Sequence, residues 1–296
     1  MVCDRHATGT CLGIALCVLM AVLLSKAALA LERYQLSVPG TLSVAITGDM
    51  PGLVALDGKL SGYDGEILQM AATRLGLKIR PVPMEWYGAI AATQSGQVDI
   101  IGGNVAWTRQ RADVLTMTDP TAYFQNGITQ KIGQNWNSLA DLENKKVGSM
   151  IGFGFLVELR RLPGLQLMLY DTPDAAMRDL VIGRIDAMIG DPPAIDYAIS
   201  RNPDWKLHTV PFIDNNPDFP LLTSTGRQYV FGLSKNNQAL ADDLSREIRL
   251  LWSDCEVRLI GKHYGLLSDT NFVPSADNFR AGVDRPADWA APRCRQ

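Results

Sequence analysis

The chain of 296 residues has few cysteines, few histidines and no excess of basic residues. Its 28 lysine and arginine residues are outnumbered by 31 aspartate and glutamate residues, which gives a net charge of −3. A nucleic-acid-binding surface needs clustered basic residues, so we expect no nucleic-acid partner. With three histidines and five cysteines, no zinc-ligand spacing can be assembled, and we expect neither a metal site nor a cofactor.

Long apolar runs are also missing after the first thirty residues. The segment 1–30 has a polar start that contains Arg5, an apolar run at 12–24, and the small-x-small pattern Ala28-Leu29-Ala30. This order is typical of a signal peptide cleaved after Ala30. The alternative is an uncleaved membrane anchor, but the apolar run is short for a spanning helix. We therefore predict an exported protein.

Three of the five cysteines belong to this segment, which leaves Cys255 and Cys294 in the mature chain. In an oxidising compartment an even pair of cysteines favours a disulfide. Such a bond would tie the C-terminal tail at 271–296 to the last helices. The alternative is two unpaired thiols, one in a helix and one at a frayed end.

Strand and helix patterns alternate along the first part of the mature chain. Strand patterns at 42–47, 77–83 and 98–104 alternate with helical spacing of apolar residues at 64–75 and 86–95. This order predicts a βαβαβ unit and an α/β fold with mainly parallel sheets.

A second unit with the same alternation begins after residue 131. The segments GQVDIIG at 96–102 and GRIDAMIG at 183–190 both contain Gly, any residue, a β-branched residue, Asp, an apolar run and Gly. This internal similarity indicates two related α/β lobes. The elements predicted for the second lobe are a short helix capped by Ser138, a strand at 146–151, a helix at 153–162, a helix capped by Asp174 and a strand at 185–190.

The last strand pattern, at 228–235, is followed by helical spacing at Leu240, Leu244, Ile248 and Leu251. We expect this part of the chain to return to the first lobe. The predicted organisation is a signal peptide at 1–30, lobe 1 at 31–125 and 228–270, lobe 2 at 126–227, and a tail at 271–296. Two crossing segments would then form a hinge with a cleft beneath it.

Two charged residues follow predicted strand ends, Arg111 in lobe 1 and Asp191 in lobe 2. Ligands of open α/β sheets bind beyond the carboxyl ends of the strands. A guanidinium matches a carboxylate bidentately, and a carboxylate accepts hydrogen bonds from an ammonium. The alternative for either residue alone is an ordinary surface charge. Their equivalent positions in two lobes favour a shared cleft for a zwitterion such as an amino acid.

The chain resembles family 3 extracellular solute-binding proteins, the periplasmic amino-acid receptors of bacterial ABC importers, over about residues 38–266. The resemblance implies a type II periplasmic-binding-protein fold with two α/β lobes, an amino acid or analogue as ligand, an ABC transporter permease as partner, a periplasmic location and a monomer. It rests on the order and spacing of GKLSGYDGEILQMAATRLGLKI, GAIAATQSGQVDIIGGN, the pair Thr108 and Arg111, TDPTAYF, SLADLENKKVGSMIG and GRIDAMIGDPP.

The resemblance also assigns roles to the charged residues. It makes Arg111 the clamp for the ligand α-carboxylate, helped by Thr108 and by the backbone from Asn104 to Ala106. It assigns the α-ammonium to Asp191.

The remaining predicted residues form the walls of the pocket. The resemblance places Trp86 in an aromatic wall, although a core aromatic on an amphipathic helix is the alternative. Gly152 and Phe153 belong to a turn whose backbone amides would face the carboxylate from a helix N-terminus.

Some positions depart from the family pattern. Met50 and Leu53 stand where an aromatic cluster is frequent, Phe153 stands where a hydroxyl residue is common, and Ala106 replaces another hydroxyl. These changes retain the residues that bind the carboxylate and the amine of the ligand. They leave the identity of the ligand side chain open, and the ligand could be an amino-acid-like molecule outside the standard twenty.

An enzyme on the same scaffold is the alternative function, since periplasmic cyclohexadienyl dehydratases resemble this family too. Such an enzyme needs a general acid near the leaving hydroxyl, and Glu85 and Glu158 are the candidates. The alternative for both is a solvated helix charge. We favour a binding protein without catalytic residues.

Overall fold

The computed structural model describes residues 33–48, 50–266 and 268–294. The predicted signal peptide at 1–30 lies outside the described residues, so its cleavage stays a prediction. Among the helices in the described ranges, none combines the length and apolar character needed to cross a membrane.

The described strands form two five-stranded sheets and two short ribbons. Their bounds in chain order are β1 Thr41–Ile46, β2 Val54–Leu56, β3 Lys59–Ser61, β4 Lys78–Pro83, β5 Ile100–Ile101, β6 Leu115–Met117, β7 Ala122–Phe124, β8 Gly127–Lys131, β9 Lys146–Met150, β10 Gln166–Tyr170, β11 Ala187–Met188, β12 Leu207–Pro211, β13 Arg227–Tyr229 and β14 Gly232–Ser234.

Each large sheet defines one lobe. Lobe 1 is built on the order β4-β1-β5-β14-β6, and lobe 2 on the order β10-β9-β11-β8-β12. Both sheets are mixed, but in each of them four strands run in one direction and one runs opposite, in agreement with the expectation of mainly parallel sheets. In lobe 1, β14 runs antiparallel to β5 and β6. In lobe 2, β8 is antiparallel to β11 and β12.

The helices cover the faces of these sheets, and several of them match the predicted periodicities. The helix predicted at 64–75 forms as α1, and the spacing at 240–251 forms the long helix α8, whose apolar positions are buried. The described α-helices are α1 Tyr63–Arg74, α2 Trp86–Gln94, α3 Arg109–Val114, α4 Leu156–Leu159, α5 Pro173–Val181, α6 Pro192–Arg201, α7 Pro220–Thr223, α8 Gln238–Ser253 and α9 Glu256–His263.

Packing of α1, α8 and α9 against the first sheet forms the largest apolar core. Ile67, Leu68 and Ala71 of α1 are fully buried, as expected for positions one turn apart on one helix face. Trp252 of α8 is also fully buried, and its indole N–H donates to Pro120 O at 2.6 Å. Burial of these side chains removes a large apolar area from water and makes lobe 1 a rigid support for its loops.

The single strand predicted at 228–235 is two strands. β13 pairs with β7 in a separate ribbon, whereas β14 enters the sheet of lobe 1. Val230 lies between them, and its N–H donates to Val105 O at 2.9 Å. The chain leaves one sheet and joins another at this residue. The paired strands β7 and β13, the hinge ribbon, therefore lie where the chain crosses between the lobes.

Two helix predictions in lobe 2 also need correction. The helix expected at 153–162 is limited to α4. The chain turns at Gly152, with φ +88°, before this helix, and turns again at 160–164 after it. The helix expected to begin at Asp174 is capped by Thr172, whose hydroxyl accepts from Ala175 N, and Pro173 occupies its first position. Proline suits that position because its missing N–H would have no partner in the helix.

The described part of the C-terminal tail, residues 271–294, packs against the hinge ribbon. Tyr123 of β7 donates its hydroxyl to Pro292 O. The fully buried guanidinium of Arg280 donates to Gln228 Oε1 of β13 and to Asp284 Oδ1, each at 3.0 Å. The structure joins Cys255 and Cys294 by a disulfide whose Cα atoms are 4.9 Å apart, in agreement with the pairing expected from their number.

Candidate functional site

Arg111 is placed by the loop that follows β5. The hydroxyl of Thr108 caps α3 by accepting from Arg111 N at 3.2 Å. The guanidinium donates to Ala106 O at 2.7 Å, and its central carbon lies 5.0 Å from the ring centroid of Trp86. Cap, carbonyl and aromatic face together hold the guanidinium in one orientation.

No described carboxylate oxygen lies within 4.0 Å of the Arg111 side-chain nitrogens. Burial and, to a smaller extent, the nearby charge of Arg227 together lower the pKa of Arg111 from 12.5 to about 10. A desolvated guanidinium held in this way is suited to an anionic ligand group, which would restore the lost charge stabilisation.

Asp191 follows β11 and precedes α6 in lobe 2. Its carboxylate accepts hydrogen bonds from the hydroxyl of Tyr229 and from the side-chain amide of Asn104. Asn104 belongs to lobe 1 and Tyr229 to the hinge ribbon, so these bonds bring three parts of the fold to one point.

The orientation of the Asn104 amide is set from lobe 1. Tyr63 donates its hydroxyl to Asn104 Oδ1 at 2.6 Å, which leaves the amide nitrogen to donate to Asp191. The backbone of Asn104 has φ 57°, and its N–H donates to Asp64 Oδ2 at 2.9 Å. Gly103 N donates to the same oxygen at 3.1 Å. The buried carboxylate of Asp64 thus fixes a loop that carries one side of the site.

The predicted charged and polar residues line one cavity of about 370 Å³ between the lobes. They are Arg111, Thr108 and Asn104 from lobe 1 and Asp191 from lobe 2. A cavity of this volume is in the range of small-molecule sites.

The predicted wall residues are only partly gathered there. Trp86, Ala106 and Phe153 line the cavity, and Phe153 packs edge-on against Phe155 with ring centroids 5.3 Å apart. Met50 instead lines a neighbouring depression along α5 and α6. Gly152 is outside the lining residues, and the helix expected after it begins only at Leu156.

Several residues of this site were not predicted from the sequence, among them Tyr63, Asp64, Tyr229 and Arg227. Tyr63 and Asp64 are part of GKLSGYDGEILQ, a segment singled out for its family pattern alone. Tyr229 and Arg227 lie in the hinge segment, where no periodicity separates pocket residues from connectors. Tyr229 stacks on Phe124 of β7 with ring centroids 4.1 Å apart, so the hinge ribbon itself forms part of the cavity wall.

The two glutamates considered as general acids are placed differently. Glu158 is buried, and its two carboxylate oxygens accept from Leu221 N and Leu222 N at 2.9 Å each, which caps α7. It does not line the cavity. Glu85 lies at the cavity rim and is exposed. Neither arrangement favours a general acid directed at a bound ligand.

The sequence model of the bacterial extracellular solute-binding proteins, family 3, matches residues 42–266. The chain belongs to this family. The probable amino-acid-binding protein YxeM of Bacillus subtilis strain 168 is 26% identical over 212 residues, which are 70% of this chain and 79% of that protein. The L-cystine-binding protein TcyJ of Escherichia coli K12 is 31% identical over 160 residues, 51% of this chain and 59% of that protein.

Solved structures agree with this family membership. An ancestral arginine-binding protein bound to arginine is 25% identical, with a TM-score of 0.65, and the match covers 76% of this chain and 98% of that one. The predicted fold, two α/β lobes of the type II periplasmic-binding-protein kind, is confirmed.

We expect the stability of this solute-binding protein to depend on pH through Asp64. Burial raises the pKa of Asp64 from 3.8 to about 6, so the folded state holds a proton that the unfolded chain has released. The stabilising contribution is complete below pH 3.8 and is lost as the pH rises through about 6. The loss is on the order of 3 kcal/mol for a shift of this size.

Asp64→Asn, which cannot ionise, is expected to remove this contribution. Denaturant unfolding of both proteins at several pH values between 4 and 7 measures it. The wild-type free energy of unfolding should fall relative to that of the variant as the pH rises. A constant difference across the range would contradict the prediction.

Proposed function

We propose that this protein captures an amino acid or an amino-acid-like zwitterion between its two lobes. The observation that carries the proposal is the position of Arg111 and Asp191, which come from different sheets and line the same cavity. Arg111 supplies an oriented guanidinium for the α-carboxylate. Asp191 supplies a carboxylate for the α-ammonium, next to the hydroxyl of Tyr229.

Binding operates by hinge closure in this proposal. Lobe 1 comprises residues 31–125 and 228–270, and lobe 2 comprises residues 126–227. The paired strands β7 and β13 serve as the hinge in this proposal. Because contacts to both lobes exist together only when the cleft is closed, a ligand that makes them shifts the population toward the closed state.

The biological role follows from the family. Relatives bind cystine or arginine according to their descriptions, and we infer that this chain likewise delivers its ligand to the permease of an ABC importer. The protein is a periplasmic monomer in this proposal, exported by the signal peptide at 1–30. Family members are described as extracellular, which supports the location.

A binding screen tests the proposed function. Purified mature protein is expected to gain thermal stability with at least one compound among amino acids, opines and betaines. A ligand at 100 times its dissociation constant stabilises by about 2.7 kcal/mol. Calorimetry then gives the affinity, and incubation with prephenate and arogenate should yield no aromatic product. Absence of any binding, or enzymatic product formation, would contradict the proposal.

A further inference from the structure

A second guanidinium, that of Arg227, lines the same cavity. Arg227 begins the hinge strand β13, and its side chain is 7% exposed. It donates to Leu221 O, and its central carbon lies 4.8 Å from the ring centroid of Phe124. Carbonyl and aromatic ring hold Arg227 as the Ala106 carbonyl and Trp86 hold Arg111.

Arg227 has several donors left after these contacts. A guanidinium carries five N–H groups in a planar fork, and the described residues provide one hydrogen-bond acceptor for it, Leu221 O. No described carboxylate oxygen is within 4.0 Å of its nitrogens. Tyr229 and, to a smaller extent, Glu158 counter the effect of burial on the pKa of Arg227, but the two oxygens of Glu158 already accept backbone N–H groups of α7. The free part of the fork is therefore suited to a ligand acceptor.

Among the poorly exposed residues that line the cavity, positive side chains outnumber negative ones. Two buried or partly buried arginines, Arg111 and Arg227, line it together with the carboxylate of Asp191. The other acidic lining residues, Glu85 and Asp171, are exposed and can remain hydrated. A neutral zwitterion would occupy Arg111 and Asp191 and leave Arg227 without an anionic partner. Burial of an unpaired charge is unfavourable, so a ligand with a second anionic group completes the site better than one without it.

We propose that Arg227 determines ligand specificity by binding a side-chain carboxylate, so that the preferred ligands are acidic amino acids. This inference rests on the proposed function, because it takes the α-carboxylate to be bound by Arg111. It differs from the cystine and arginine specificities described for the relatives. In this proposal the ligand side chain is recognised by a residue of the hinge strand, and the amino-acid backbone is bound by Arg111 and Asp191.

Pairs of ligands with the same shape provide the test. Calorimetry compares L-glutamate with L-glutamine and L-aspartate with L-asparagine on the mature wild-type protein. We expect at least one acid to bind roughly 10-fold or more tightly than its amide, since the amide cannot neutralise Arg227. Equal affinity for acid and amide, or a preference for arginine, would overturn the specificity while leaving the proposed capture of amino acids intact. No binding of any amino acid in the screen would instead contradict the proposed function.

Arg227→Met removes the charge and keeps an apolar side chain over Phe124. It is expected to weaken binding of the acid roughly 100-fold and binding of the amide by less than about 3-fold. Arg227→Lys should keep part of the acid preference. The matched control is Arg161→Met, because Arg161 is exposed and stacks on Phe219 at 4.5 Å outside the cavity.

Two outcomes of the variant would overturn the proposal. Equal weakening of acid and amide by Arg227→Met would show that Arg227 contacts the α-carboxylate together with Arg111. Unchanged binding of both would show that it contacts neither. Circular dichroism and thermal unfolding test whether the variant is folded. If the variant does not fold, the comparison of acid and amide on the wild-type protein decides whether the site prefers acidic ligands.

Discussion

Replacement of Arg111 by methionine is expected to weaken amino-acid binding roughly 100-fold or more while the protein stays folded. The guanidinium is held between the carbonyl of Ala106 and the ring of Trp86, and it is the group that we assign to the α-carboxylate. Its removal leaves the ligand carboxylate buried without a cationic partner. Isothermal titration calorimetry with the ligand found in the screen measures the loss.

The stability of the Arg111→Met variant separates binding from folding. Burial lowers the pKa of Arg111, which indicates that desolvation disfavours the charged form of this side chain. The ligand-free variant should therefore unfold at the wild-type temperature or above it. Arg109→Met is the matched control, since Arg109 is exposed on the same short helix. Undiminished affinity in the Arg111 variant, or equal weakening in the Arg109 control, would contradict the assignment.

Replacement of Asp191 by asparagine is expected to cause a loss of similar size, roughly 100-fold. Asparagine keeps the shape of the side chain but cannot neutralise an ammonium. Its amide also introduces donors where Asp191 accepts from both Asn104 and Tyr229, so one of these bonds is lost. We therefore expect weaker ligand binding and a smaller population of closed molecules, the latter measurable by small-angle scattering.

A ligand without the amine makes the test of Asp191 specific. The deaminated analogue of the ligand, which retains the carboxylate, should lose much less affinity than the amine when Asp191 is replaced by asparagine, because only the smaller closed population affects its binding. Asp186→Asn is the control, because Asp186 is an exposed carboxylate that accepts from Lys146 N at 2.8 Å. If Asp191→Asn weakened the amine and the deaminated analogue equally, the residue would act through the hinge alone.

Much of the fold could be predicted from local sequence patterns. The periodicity of α1 and α8 depends on residues within a few turns, and both helices form where the spacing predicted them. The similarity between GQVDIIG and GRIDAMIG placed Arg111 and Asp191 beyond strand ends, and both residues line the cavity. The local pattern at 153–162 predicted a helix that is longer than the one observed, since Gly152 and Gly154 lie in turns and only α4 is helical.

Other parts of the site depended on contacts between distant segments. The hydrogen bond from Tyr63 to Asn104 spans 41 positions, and the bond from Asn104 to Asp191 spans 87. No period of 2 or 3.6 residues encodes such pairs. The packing of the tail against the hinge ribbon through Arg280 and Tyr123 likewise cannot be predicted from residues that are neighbours in sequence.

By itself, the sequence determined that this protein has two α/β lobes, an arginine and an aspartate at equivalent strand ends, and a family 3 pattern over most of its length. These features are local or repetitive, so periodicity and motif order contain them. Only the tertiary structure decided that Tyr229 and Arg227 of the hinge face the cavity, and that Met50 lies outside it. The reason is physical: the direction of a side chain in a connecting strand depends on which sheet that strand joins, and residues far away in sequence determine that choice.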